Sequence, residues 1–152
     1  MMKIGYFCNS TNWDNKPYTQ VLEETREIAL YCDENNWQSI WFTEHHFSHE
    51  GMEICPNPLM LSADIAARTK NIRIGQAATI VTFWNPIRVA EDIAFLDNLS
   101  NGRVEAGLGR GIYGREALNM NPDADMKDQA KNFRLFEETI SILKKCMVRK
   151  VF

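Results

Sequence analysis

Within Phe42-Thr43-Glu44-His45-His46-Phe47 two adjacent imidazoles stand beside a carboxylate. Imidazole titrates near neutral pH, so it can take up and release protons under physiological conditions. The segment follows Ser39-Ile40-Trp41-Phe42, an apolar run with the length and aromatic content of a buried strand. Proton-carrying side chains at a strand end point to a site rather than a core. Metal binding is the competing chemistry, because Glu44, His45, His46, His49 and Glu50 are all potential ligands. His45 and His49 have the separation of an HExxH zinc motif. However, His46 stands where that motif requires glutamate, and no amphipathic helix carries the pair. Acid–base chemistry without a metal is the better reading.

A second candidate is Gly107-Leu108-Gly109-Arg110-Gly111, continuing to Gly114. Gly109 to Gly114 matches GxGxxG formally. A dinucleotide fingerprint, however, leads into a helix and then a strand ending in an acidic residue. Here the chain is expected to enter a polar loop, Asn119 to Asp125, before its last helix. A guanidinium among exposed backbone amides suits phosphate. Arg110 is therefore a candidate phosphate clamp, and a nicotinamide dinucleotide is not the expected ligand. The third feature is Gly75-Gln76-Ala77-Ala78-Thr79, where small residues within a strand admit either a flat ligand or a closely packed helix. Residue types alone favour packing.

These residues need elements to hold them. Strands are expected at Lys3 to Cys8, Ser39 to Phe42, Ile72 to Val81 and Arg103 to Leu108. Between them, Tyr18 to Asn36 carries Val21, Leu22, Thr25, Ile28, Ala29 and Cys32 on one helical face. Asn57-Pro58 and Asn85-Pro86 each open a helix, with an N-cap followed by proline at the first helical position. A last helix starts near Asp125, with Phe133, Phe136, Ile140, Leu143 and Met147 on one side. Strand and helix thus alternate with a repeat of about thirty-odd residues, the size of βα units. Such alternation implies an α/β fold with a parallel sheet and helices outside it. Either a doubly wound sheet or part of a (β/α)8 barrel fits, and in both the ligand site lies beyond the C-terminal strand ends. Cys8 and Asn9, Glu44 to His46, Thr79 to Thr82 and Gly109 to Gly111 all fall there.

At 152 residues the chain is expected to be one domain with a substantial core. A formal charge of −3, from 17 basic and 20 acidic residues, argues against nucleic acid as a partner. No apolar run approaches the eighteen or so residues of a membrane span, and the N-terminus is unlike a signal peptide. Cys8, Cys32, Cys55 and Cys146 are scattered, as free thiols in a reducing cytoplasm would be.

Taken together, several stretches resemble the bacterial luciferase-like, flavin-dependent monooxygenase family. They are Trp41 to Phe47, Gly75-Gln76-Ala77-Ala78, Asn85-Pro86-Ile87-Arg88, and Asp97-Asn98-Leu99-Ser100-Asn101-Gly102-Arg103 leading into Gly107 to Gly111. The resemblance implies a (β/α)8 barrel binding reduced FMN at the C-terminal face of its strands. It implies that His45 transfers protons near the flavin, with Glu44 and His46 in support. A non-prolyl cis peptide at Ala77-Ala78 would support the isoalloxazine ring, and Arg110, with Gly109, would contact the phosphate. The implied reaction uses reduced FMN and O2 to oxidise a small organic substrate such as an aldehyde, with FMNH2 supplied by a separate flavin reductase.

A full barrel has eight βα units and typically about 250 residues, whereas this chain supplies four units. The expectation is therefore the N-terminal half of a luciferase-like domain, residues 1–152, with no second domain and with unpaired sheet edges that favour a homo- or hetero-oligomer. The alternative is a truncated, non-catalytic half-barrel acting as a flavin-binding or assembly module.

Overall fold

A computed structural model describes residues 2–49, 51 and 54–148. In chain order the elements are β1 (Gly5–Cys8), α1 (Tyr18–Glu34), β2 (Ser39–Phe42), α2 (Pro58–Arg68), β3 (Arg73–Gln76), β4 (Thr79–Ile80), a 3-10 turn (Val81–Phe83), α3 (Pro86–Leu99), β5 (Val104–Glu105), β6 (Leu108–Gly109), α4 (Gly114–Met120), a second 3-10 turn (Pro122–Ala124) and α5 (Gln129–Val148). The chain divides into two units, Met1–Thr79 with Leu96–Gly107, and Ile80–Phe95 with Leu108–Phe152.

In the first unit β1, β2, β3 and β5 form one parallel sheet whose order follows the sequence without reversal. Ile40, Phe42 and Ile74 from the strands are buried with Ala29 and Cys32 of α1 and Ile65 and Ala66 of α2. On α1 the residues Val21, Thr25, Ala29 and Cys32 recur at steps of three and four, which keeps them on one buried face. The start of α2 follows from its first residues. The Asn57 side chain accepts the Met60 N–H at 2.9 Å, and Pro58 sits where a missing N–H goes unused.

One buried carboxylate ties these layers together. Asp33, at the end of α1, accepts the backbone N–H groups of Lys70, Asn71 and Ile72 at 2.8, 2.8 and 2.7 Å, fixing the approach to β3. Arg103, just before β5, donates to the carbonyls of Ala66 and Ile72 at 2.8 and 3.1 Å and to the Thr69 hydroxyl at 2.8 Å. It thereby satisfies an acceptor that the end of α2 leaves over.

In the second unit Asn85 caps α3, its side-chain oxygen accepting the Ile87 and Arg88 N–H groups at 3.0 and 3.2 Å. A small core joins Ile80, Phe83, Ala117 and Ala124, with Met120 and Leu135 packed on it. On α5 the buried residues are Asn132, Thr139 and Leu143, whereas Phe133 and Met147 are exposed. The expected stripe headed by Phe133 is thus displaced by one residue at its start.

Two expected strands are shorter than their apolar runs. Ile72 to Val81 is broken after Gln76, and Val81, Thr82 and Phe83 form a 3-10 turn as buried as a strand would be. Arg103 to Leu108 is split where the Gly107 N–H turns back to the Glu105 carbonyl at 3.1 Å. Burial sets hydrophobicity and not the backbone path, so both runs read as continuous. Among the described residues no helix is long and apolar enough to cross a membrane.

Burial alone would raise the Asp33 carboxyl, but the Lys70, Ile72 and Asn71 amides and the charge of Arg103 outweigh it and hold the group below the ordinary aspartate value. A depressed carboxyl contributes stability that is fully present above the unfolded value, near ~3.9, and lost as pH falls through the folded one. Asp33→Asn should therefore cost roughly 1–3 kcal/mol at neutral pH. Urea titrations should show the gap from the unaltered protein closing as pH falls below about 4. A gap that stays constant down to low pH would contradict this role.

Candidate active site

At the end of β2 burial alternates. Glu44 and His46 are buried, while His45 between them is only half-buried. The two buried side chains meet, with His46 Nε2 3.0 Å from Glu44 Oε1. The His45 backbone N–H donates to the Cys55 carbonyl at 2.9 Å, so the loop beyond holds this residue from its other side. Burial pushes the Cys55 thiol up to about 12, partly opposed by the Asn57 N–H. A thiol so far from ionisation is a packing group and not a nucleophile. His45 also borders an open cleft of about 600 Å³, together with Asn15, Tyr18, Phe47 and Ile54. That volume suits a small ligand.

The end of β3 lies beside this segment. Trp41 and Gly75 are register partners, and a Cβ on Gly75 would come within 2.3 Å of the Trp41 indole. The flat group that Gly75 admits is thus the tryptophan of the neighbouring strand, neither a ligand nor a helix. Gln76 is fully buried and donates to Ser62 Oγ on α2 at 3.0 Å. The next peptide bond, Ala77–Ala78, is cis, and both alanines are half-buried. The Ala77 N–H donates to the Phe42 carbonyl at 2.7 Å, carrying the β2–β3 contact one step past the ladder. Thr43 Oγ1, Gln76 Oε1 and Thr79 Oγ1 are buried here without a hydrogen-bond partner among the described residues.

Gly109 and Arg110 belong to the second unit. Gly111 has φ +78°, and a Cβ there would stand 3.1 Å from both Ile80 Cγ2 and Phe83 Cζ, so the position requires glycine. The Arg110 guanidinium carbon lies 5.5 Å from the centroid of the Phe133 ring. Its carbonyl accepts Thr82 Oγ1 at 3.0 Å and Asn132 Nδ2 at 3.1 Å. A helix does follow Gly114, contrary to the expected direct run into a loop. It is only seven residues long, and the next elements are a 3-10 turn and another helix, so the dinucleotide pattern still fails.

The structure therefore brings Glu44, His45, His46, Ala77 and Ala78 to neighbouring strand ends of the first unit, and places Gly109 and Arg110 in the second. Asn132 and Phe133 had no place among the sequence candidates for the site, and Thr82 stood there only as one of the residues at a strand end. The available signal was Asn132, a polar residue seven and eleven positions before the buried Thr139 and Leu143. Among the described residues no three His, Cys, Asp or Glu side chains gather as a metal site. Glu50 lies outside the described residues.

Known proteins can be set beside this geometry. A family model described as luciferase-like monooxygenase matches residues 2–151. The oxygenase component of flavin-dependent trigonelline monooxygenase from Acinetobacter baylyi is 34% identical over 121 residues, covering 80% of this chain and 33% of that protein. The alkanal monooxygenase alpha chain of Photorhabdus laumondii is 30% identical over 115 residues, covering 76% of this chain and 32% of its own. The oxygenating constituent of 3,6-diketocamphane monooxygenase from Pseudomonas putida, solved with FMN, superposes with a TM-score of 0.88. It is 23% identical, with all of this chain and 42% of that one covered, and supports the fold. The chain spans about a third of the length of the curated relatives it matches. With a family model covering nearly every residue, the chain belongs to the luciferase-like monooxygenase family.

Proposed function

We propose that this chain is the N-terminal half, residues 1–152, of an FMN-dependent oxygenase that uses reduced flavin and O2 to oxidise a small organic substrate such as an aldehyde. The observation that carries this reading is that Ala77 and Ala78 follow β3 at the end of β2, where the Ala77 N–H donates to the Phe42 carbonyl at 2.7 Å, three residues before His45. Strand order supports the half-barrel: a doubly wound sheet reverses direction at its switch point, and β1, β2, β3 and β5 do not.

The residues present fit a flavin ring. Two methyl side chains at a strand end leave a half-exposed surface for a flat group. Three polar atoms of Thr43, Gln76 and Thr79, without a partner among the described residues, give the same strand ends polar character that hydrocarbon packing does not use. Ala77 and Ala78 are assigned to support the ring, and Arg110, with Gly109, to receive the phosphate. When bound, reduced FMN supplies the activation of O2 and transfer of one oxygen atom. His45 is assigned to hold and return a proton through its half-exposed imidazole. The buried Glu44–His46 pair anchors the backbone on either side of it.

The A. baylyi relative is named an oxygenase component, which supports a separate flavin reductase as the partner supplying FMNH2. Four free cysteines suit a reducing cytoplasm. Sheet edges at β1 and β5 suit assembly into a homo- or hetero-oligomer.

Titration of the purified chain with FMN and FMNH2, followed by flavin fluorescence, should show saturable binding. A folded chain that binds neither form would contradict the proposal. His45→Ala should leave flavin affinity within about twofold and lower oxidation of a medium-chain aldehyde by roughly 10²–10⁴-fold. Unchanged turnover, or a loss explained wholly by weaker flavin binding, would remove His45 from the proton-transfer role. Flavin binding without turnover in the unaltered chain would favour the non-catalytic half-barrel instead.

A further inference from the structure

We propose that Asn132 and Thr82 are positioning residues for a phosphate site at Arg110, an assignment that rests on Arg110 receiving the flavin phosphate. Asn132 is wholly buried on the inner face of α5, where an apolar residue would pack at no polar cost. Its amide nitrogen spans two carbonyls, Arg110 at 3.1 Å and Ala124 at 2.8 Å, so both N–H groups are used. Thr82 supplies a second donor to the same Arg110 carbonyl at 3.0 Å, from a different element. Thr82 is itself held, since its own carbonyl accepts Asn121 Nδ2 at 2.8 Å. Gly111, confined to positive φ against Ile80 and Phe83, fixes the chain on the following side.

The main chain of Arg110 is thus clamped from the 3-10 turn, from α5 and by its neighbour. What this leaves adjustable is the side chain, and Phe133, the residue after Asn132, lies under the guanidinium. An arginine stacked on a ring keeps its in-plane N–H fork available for a bidentate phosphate. Restricting its rotamers beforehand reduces the entropy lost on binding. One turn of α5 therefore serves both ends of the residue, Asn132 holding its carbonyl and Phe133 its guanidinium.

FMN and riboflavin differ only in the phosphate, so the ratio of their dissociation constants isolates this site without any turnover. Thr82→Val removes one donor while keeping the side-chain shape, and Asn132→Ala removes both of its donors. Each should weaken FMN binding by roughly threefold to tenfold and leave riboflavin binding unchanged. Arg110→Ala should remove most of the preference for FMN. Thr82→Val is the variant whose folding is least at risk, and thermal melts monitor both. If Arg110→Ala abolishes the preference but both anchor variants retain it, the positioning role is wrong. If the anchor variants weaken both flavins equally, their role is structural and the proposal fails. If Arg110→Ala leaves the preference intact, the phosphate assignment itself falls, and the positioning role with it.

Discussion

The hydrogen bond from the Ala77 N–H to the Phe42 carbonyl is the constraint on which the candidate site depends. It joins the last residue of β2 to the first residue past β3, so that two loops leave the sheet from one fixed point. On one side follow Thr43, Glu44 and His45; on the other follows the cis Ala77–Ala78 peptide. Parallel pairing of β2 with β3 brings the strands to this point in register, and the three amides gathered by Asp33 set where β3 begins. A buried carboxylate at the far end of the strand thus helps decide which residues stand at the functional end.

Around that point the chain separates groups that pack from groups left accessible. Trp41 closes over Gly75, Gln76 turns to Ser62, and Glu44 pairs with His46. Each of these uses a polar or bulky side chain to stabilise the sheet end. His45 and the two alanines are left half-exposed, with small or proton-carrying side chains. The second unit follows the same logic in another form, where a buried asparagine and threonine hold the main chain of Arg110.

What was legible in the sequence was mostly local. Asn57-Pro58 and Asn85-Pro86 opened helices because capping and the first helical position involve only the next few residues. The α1 face emerged from its spacing, and His45 stood out by chemical type at a strand end. The breaks near Ala77 and Ala106 were hidden because buried turns and buried strands share one composition. Asp33 and Arg103 act on partners more than thirty positions away, and no local pattern announces that. Gly75 reads as room for a ligand or a helix, whereas its occupant, Trp41, comes from the neighbouring strand. Phe133 reads as part of the apolar stripe, but the buried stripe starts at Asn132.

The proposed flavin-ring site of this family member lies at the neighbouring ends of β2 and β3. A crystal structure of the protein with FMN tests it most directly. Density for the isoalloxazine ring is expected against Ala77–Ala78, with the His45 imidazole at its edge. Density for the ring away from these strand ends, with Ala77, Ala78 and His45 untouched, would contradict it.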